Sequence, residues 1–151
     1  MEKARLALFG LAVLLVAGCS GPTVHTATYA SVAEAKAAGA VDKGLVPAIL
    51  PPNAYELRAA YATNGSERWG LFNFRDADVE ALRSVLQPEE ISFAGTEMTI
   101  PGRIEWWPVI LRGTLDAERI QATGLRAYPS RTGSLRFAVN WKQGRAYYWT
   151  P

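Results

Sequence analysis

The chain has 151 residues, a formal net charge of +2, 49% hydrophobic residues and 20% charged residues. This composition is typical of a globular chain rather than a disordered one, and so small a net charge does not by itself indicate a polyanionic partner. The length fits one domain, and the single cysteine cannot form a disulfide within the chain.

The N-terminal segment has the pattern of an export signal. Lys3 and Arg5 precede an uninterrupted apolar run over residues 6–16. As a helix this run would span about 16 Å, whereas a bilayer core is about 30 Å thick and needs ~20 residues. The pattern therefore predicts a secretory signal peptide over residues 1–18 rather than a permanent transmembrane helix.

Residues 16–19 read Val-Ala-Gly-Cys, which resembles the lipobox of bacterial lipoproteins. The resemblance implies that the sulfur of Cys19 is diacylated and that a peptidase cleaves between Gly18 and Cys19. Two or three acyl chains, as in palmitate-bearing lipoproteins, would hold the protein on one leaflet of the cell envelope, because each buried methylene contributes about 0.8 kcal/mol. An ordinary signal peptide with a chance cysteine is the alternative. Ser20, where an aspartate would indicate inner-membrane retention, favours the outer membrane.

The next segment is small, polar and without periodicity. Residues 19–28 are predicted to be the lipidated cysteine and a flexible tether, and residues 29–151 a single folded domain. His25, the only histidine, lies in this predicted tether. A lone histidine without neighbouring carboxylates or cysteines indicates no metal or catalytic role.

The first half of the domain shows a helix and then a pair of strands. Ser31 and Glu34 have capping-box spacing, which predicts a short helix ending near Gly39. Residues 45–52 hold three prolines and are expected to be extended. The alternation over residues 55–62, an Asn-Gly turn and the aromatic run over residues 68–74 predict two strands, and Gly70 inside the second run indicates a close approach of another backbone or side chain.

The second half mixes helices and hairpins. A helix is predicted from Asp76 to Pro88, and a third follows Thr114 over residues 115–122. Residues 104–111 are expected to form an edge strand that turns at its proline. A terminal hairpin over residues 135–149 completes a pattern without βαβ repetition, which predicts an α+β fold of antiparallel hairpins with about three short helices.

The stretch from Tyr29 to Phe74 is similar to a family of small bacterial envelope lipoproteins with a YbbD head domain. The resemblance rests on several short pieces, which are Tyr29-Ala30-Ser31, residues 33–40, Gly44-Leu45-Val46-Pro47, Leu50-Pro51, Trp69-Gly70, Phe72 and Phe74, with Tyr147-Tyr148-Trp149 at the end of the chain. It implies a secreted single-domain lipoprotein and implies no activity.

The sequence lacks the residue patterns of several common catalytic and cofactor-binding sites. No serine–histidine pair, zinc cluster, phosphate loop or dinucleotide motif is visible, so neither a metal nor a cofactor is predicted. Glu105 beside Trp106 and Trp107 is the carboxylate of most interest, because indole rings beside a carboxylate suit glycan or peptide binding. Burial of both tryptophans in the core is the alternative.

The C-terminal third is basic. Beyond Glu118 the chain has no acidic residue, and Arg136 and Arg145 are interleaved with aromatic residues. Such a surface could meet anionic lipid, a glycan or an acidic envelope protein, whereas nucleic acid is not an expected partner. A solvated arginine face is the alternative. We therefore predict a non-enzymatic, membrane-anchored binding module, the alternative being a cell-wall or glycan-acting enzyme that uses Glu105.

Overall fold

A computed structural model of the protein describes residues 23–151. The predicted signal peptide over residues 1–18, the cleavage position after Gly18 and the lipid attachment at Cys19 lie outside the described residues. Within residues 23–151 no helix is both long and apolar enough to cross a bilayer.

A six-stranded antiparallel sheet forms the centre of the fold, with the strand order β1-β2-β3-β8-β7-β6. Its strands are β1 (Val24–Ser31), β2 (Tyr55–Ala62), β3 (Arg68–Asn73), β6 (Leu125–Pro129), β7 (Arg136–Asn140) and β8 (Arg145–Trp149). A separate two-stranded ladder pairs β4 (Glu97–Met98) with β5 (Gly113–Thr114).

Within residues 23–151, three short α-helices accompany the sheet: α1 (Val32–Ala37), α2 (Val79–Val85) and α3 (Ala117–Ala122). Two single 3₁₀ turns, Asp76–Asp78 and Val109–Leu111, precede α2 and β5. The predicted α+β class is confirmed, as is its composition of antiparallel hairpins with about three short helices.

The two faces of the sheet are covered by different parts of the chain. On one face Phe72, Phe137 and Tyr148 are buried under α1, α2 and the loop between α1 and β2. On the other face Trp69 and Trp149 pack against the segment 91–125, whose central side chain Trp107 is only 1% exposed. A strand that is buried on both faces does not alternate strictly between apolar and polar residues. This is why β3 is a nearly continuous apolar run.

Local sequence signals account for several of these elements. The Ser31 hydroxyl accepts the Glu34 N–H at 3.1 Å, and the Glu34 carboxylate accepts the N–H of Ala30. This is the predicted helix start, with the glutamate reaching one residue further back than a standard capping box. Gly70 was expected at a close approach, and a Cβ there would lie 1.9 Å from the Tyr148 ring.

The predicted tether over residues 19–28 is wrong from Val24 onward. Residues 24–29 pair in continuous register with β2, from Val24 opposite Ala62 to Tyr29 opposite Leu57. The folded domain therefore begins before residue 29. The reason is that β1 is an edge strand with mostly exposed side chains, so it shows no apolar alternation and its main stabilisation is the backbone ladder to β2.

Three local predictions in the loops are also corrected. Residues 104–111 form turns rather than an edge strand, because the Trp107 indole N–H donates to the Leu111 carbonyl at 2.8 Å and folds the segment on itself. Helix α3 is capped by Asp116, whose carboxylate accepts the Arg119 N–H at 3.0 Å, rather than by Thr114. Residues 45–52 turn instead of running extended, although Val46 and Leu50 are buried as expected.

Candidate binding site

A cavity of about 530 Å³ opens at one corner of the sheet, and we refer to it as the corner cavity. Its lining comes from β1, β2, β3, β8 and the loop after β4. The lining residues are Thr28, Tyr29, Ala30, Glu56, Arg58, Leu71, Asn73, Trp106, Arg145 and Tyr147.

Strand register builds the floor of the corner cavity. Arg58, Leu71 and Tyr147 lie opposite one another on β2, β3 and β8, and they form one row across the sheet. Asn73 and Arg145 form the next row on the same face, because side chains two residues apart on a strand point to the same side. Residues far apart in sequence thus share one surface only through the pairing of the strands.

An aromatic cluster forms the wall. The Trp106 and Trp107 ring centroids lie 6.0 Å apart, and Trp107 meets Tyr147 edge-on at 5.7 Å. Trp107 is fixed in the core, whereas Trp106 and Tyr147 remain half-buried and line the cavity. The buried indole therefore supports two aromatic side chains that stay accessible.

Glu56 occupies an irregular position in β2. The register with β3 shifts between Tyr55 and Arg58, and Glu56 is the only non-glycine residue of the described chain with a positive φ, 51°. A left-handed backbone costs an L-residue roughly 1–2 kcal/mol. A bulge of this kind re-aims side chains at the edge of a sheet, and here it brings Glu56 to the cavity.

A chain of hydrogen bonds joins the two charged ends of the cavity rim. The amide nitrogen of Asn73 donates to the Glu56 carboxylate, and the Asn73 carbonyl accepts the Nε–H of Arg145 at 2.9 Å. Asn73 is 7% exposed and its side chain is bonded on both sides. The asparagine therefore holds Glu56 and Arg145 in place while both reach solvent.

The cavity carries more positive than negative charge. Arg58 and Arg145 face a single lining carboxylate, that of Glu56. Within residues 23–151 the one ion pair shorter than 4.0 Å joins Arg126 to Glu90 at 3.8 Å, at the opposite edge of the sheet. Neither arginine of the corner cavity thus forms an ion pair within 4.0 Å with a carboxylate of the described residues.

Of the five residues predicted as a binding surface, the structure brings two together. Trp106 and Arg145 both line the corner cavity. Glu105 is exposed and lies outside its lining, and Trp107 is a core residue that cannot offer a surface. Arg136 shares the sheet face of Arg145 but lies at the other end of the hairpin, since it pairs with Trp149.

The sequence interpretation missed Glu56, Arg58 and Asn73. Arg58 and Glu56 looked like the ordinary polar positions of a half-buried strand. Asn73 offered the one usable signal, because it is a polar residue inside the apolar run of β3 and a buried amide must find partners.

The acidic residues at the start of α2 have a structural role. Asp78 is buried, and its carboxylate accepts hydrogen bonds from the Asn53 side chain at 3.1 Å and the Arg75 N–H at 3.3 Å. Across residues 23–151 no three histidine, cysteine, aspartate or glutamate side chains are grouped as metal ligands would be.

A second cavity of about 330 Å³, the α2 cavity, lies beside α2 and is also lined by a tryptophan, a tyrosine and two arginines. The Arg83 guanidinium stacks 4.3 Å from the Trp141 ring, and Arg131 donates to the Ser84 carbonyl. The Trp141 indole donates to the Tyr128 hydroxyl at 3.0 Å. Burial, opposed by that hydrogen bond, raises the pKa of Tyr128 above its ordinary value.

Residues 23–73 match the family described as the YbbD head domain. The match spans β1, β2 and β3, which supply much of the corner cavity, and it confirms the resemblance predicted from the sequence. The comparison with curated proteins and the comparison with solved structures each gave no match.

Proposed function

We propose that this protein is a lipid-anchored component of the bacterial envelope whose domain binds another envelope component without catalysing a reaction. The observation that carries the binding role is the corner cavity, where Trp106, Tyr147 and two arginines without carboxylate partners meet. Tryptophan, tyrosine and arginine are the side chains that dominate binding energies at recognition surfaces. The anchor rests on the lipobox-like sequence that ends at Cys19.

The position of β1 supports an orientation for the domain. Only residues 20–23 separate Cys19 from Val24, so the two can be at most about 17 Å apart at ~3.4 Å per residue. Thr28 to Ala30, at the cavity, lie up to about 20 Å further along the strand. An anchor at Cys19 would hold one end of the sheet near the membrane and leave the corner cavity at the other end.

The lining favours binding over glycoside hydrolysis. Most glycosidases place two carboxylates on either side of the scissile bond, whereas Glu56 is the single carboxylate that residues 23–151 contribute to the corner cavity. Glu105, the carboxylate that the enzymatic alternative needed, is exposed outside this cavity and does not share it with Trp106.

The anchor is tested by labelling cells that produce the protein with radioactive palmitate. Wild type should incorporate the label and sediment with membranes, and Cys19→Ala should do neither. Sedimentation of Cys19→Ala with membranes, or absence of label from wild type, would contradict the anchor.

The binding role is tested by chemical crosslinking in intact cells. We expect the double variant Arg58→Glu, Arg145→Glu to lose adducts that wild type forms. Arg119→Glu is the matched control, because Arg119 is an exposed arginine on α3 outside the cavity. Equal adduct patterns for wild type and the double variant would remove the corner cavity from the proposal.

A further inference from the structure

We propose that the ligand of the corner cavity is a saccharide that carries carboxylate groups. This inference rests on the proposed function and narrows it to one chemical class. It follows from three properties of the lining, namely accessible aromatic rings, guanidinium groups without an ion pair in residues 23–151, and a fixed amide–carboxylate pair.

The aromatic rings suit a ring-shaped ligand. Trp106 and Tyr147 are half-buried, and the core residue Trp107 holds both in position through ring contacts of 6.0 and 5.7 Å. A pyranose has flat C–H faces that gain contact area on such rings, while its hydroxyl groups stay at the rim. Binding sites combine an apolar floor with a few placed polar groups for this reason.

The two arginines of the corner cavity favour a ligand with anionic groups. Arg58 is exposed and forms no side-chain hydrogen bond within residues 23–151, and Arg145 uses its Nε on Asn73. By strand spacing and rise, their Cα atoms are about 12 Å apart. Guanidinium groups bind carboxylates through paired, charge-assisted hydrogen bonds. A ligand spanning both arginines therefore needs carboxylates on more than one sugar unit.

Glu56, held in place by Asn73, supplies a contact to hydroxyl groups. The Glu56 carboxylate has acceptor capacity beyond its bond from Asn73, and sugar hydroxyls are donors that can use it.

An acidic peptide would instead gain most from pairing with the edge of β1. The backbone N–H of Ala30 on that edge already donates to the Glu34 carboxylate. It is therefore not available to pair with a peptide strand, which favours the saccharide.

The test uses the purified full-length protein in detergent micelles and isothermal titration calorimetry. Tetragalacturonate is the probe, its fully methyl-esterified form is the uncharged control, and hexaglutamate represents acidic peptides. We expect tetragalacturonate to bind and the ester to bind at least about tenfold more weakly, because esterification removes the charge-assisted hydrogen bonds.

Variants locate the binding. Arg58→Gln, Arg145→Gln and Trp106→Ala should each weaken tetragalacturonate binding by about fivefold or more, and Arg119→Gln should leave it unchanged. Glu56→Gln keeps an acceptor for Asn73, offers its N–H₂ group to a sugar hydroxyl in place of the free carboxylate oxygen, and removes a negative charge that repels the ligand, so it should tighten binding by about threefold. A variant that failed to fold would lose binding, so a gain in affinity cannot result from unfolding.

Equal binding of tetragalacturonate and its ester, or an equal loss in Arg119→Gln, would overturn the saccharide proposal. Binding of hexaglutamate without tetragalacturonate would also overturn it and identify a peptide ligand. If no probe binds while crosslinks in cells still depend on Arg58 and Arg145, the ligand class is wrong and the binding function stands. If those crosslinks are absent too, both proposals fail.

Discussion

The corner cavity and the α2 cavity are built from the same residue types and use them differently. In the α2 cavity Arg83 stacks on Trp141, and Trp141 is bonded to Tyr128. In the corner cavity the Arg58 side chain has no hydrogen-bond partner within residues 23–151, and Trp106 contacts one neighbouring ring. The same residue types therefore serve mainly to hold the fold together in the α2 cavity, whereas in the corner cavity the Arg58 guanidinium stays available for a ligand.

The largest expected effect concerns the residue that supports the corner cavity. Trp107→Ala should lower the free energy of unfolding by about 3–5 kcal/mol, because it removes a buried indole, its hydrogen bond to Leu111 and its contacts with Tyr147 and Trp149. Urea denaturation followed by circular dichroism measures this loss. A loss below about 1 kcal/mol would show that Trp107 is not the structural support of the aromatic cluster at the cavity.

The next prediction compares the contributions of the two half-buried tryptophans to the free energy of unfolding. Trp141→Ala should cost about 2–3 kcal/mol, because it removes a hydrogen bond, a stacked guanidinium and ring contacts to Phe74 and Tyr128. Trp106→Ala should cost only about 1 kcal/mol. The same urea experiment compares them, and a larger loss in Trp106→Ala would reverse the assignment of structural and accessible roles.

A smaller effect separates the arginines. Arg83→Gln should lower the free energy of unfolding by about 0.5–1 kcal/mol through loss of its stacking on Trp141. Arg58→Gln should change it by less than about 0.5 kcal/mol, because Arg58 is exposed and unbonded. Thermal unfolding of the two variants side by side measures the difference. Equal losses would mean that Arg58 is part of the structural framework.

The smallest effect is a pH dependence of the α2 cavity. Burial raises the pKa of Tyr128, so the folded state holds the phenol proton more tightly than the unfolded state. The resulting stabilisation is complete below about pH 10 and is lost as the pH rises through the raised pKa. Tyr128→Phe should therefore show a shallower fall in unfolding free energy as the pH rises above about 10, measured by urea denaturation. A slope equal to that of wild type would contradict the burial argument.

Local signals were sufficient where an element is defined by its own residues. The terminal hairpin, the helix start at Ser31 and the close approach at Gly70 were all predicted correctly. Each depends on alternation, capping chemistry or a missing side chain, which can be read within a few residues.

Other features depend on partners distant in sequence. The prediction assigns residues 24–28 of the first strand to the tether because an exposed edge strand has no apolar face of its own, and only its register with β2 decides its structure. The turn over residues 104–111 depends on where the Trp107 indole finds an acceptor. The row of Arg58, Leu71 and Tyr147 arises from three paired strands. No local pattern contains that information.

The most direct test of a binding role for the corner cavity is site-specific photo-crosslinking in living cells. The full chain would carry benzoylphenylalanine in place of Tyr147, which lines the cavity, or in place of Lys36, which is exposed on α1 over the other face. We predict a discrete adduct at position 147 that disappears in the Arg58→Glu, Arg145→Glu background, and no such adduct at position 36. Adducts that are the same at both positions, or that persist without the two arginines, would contradict the account.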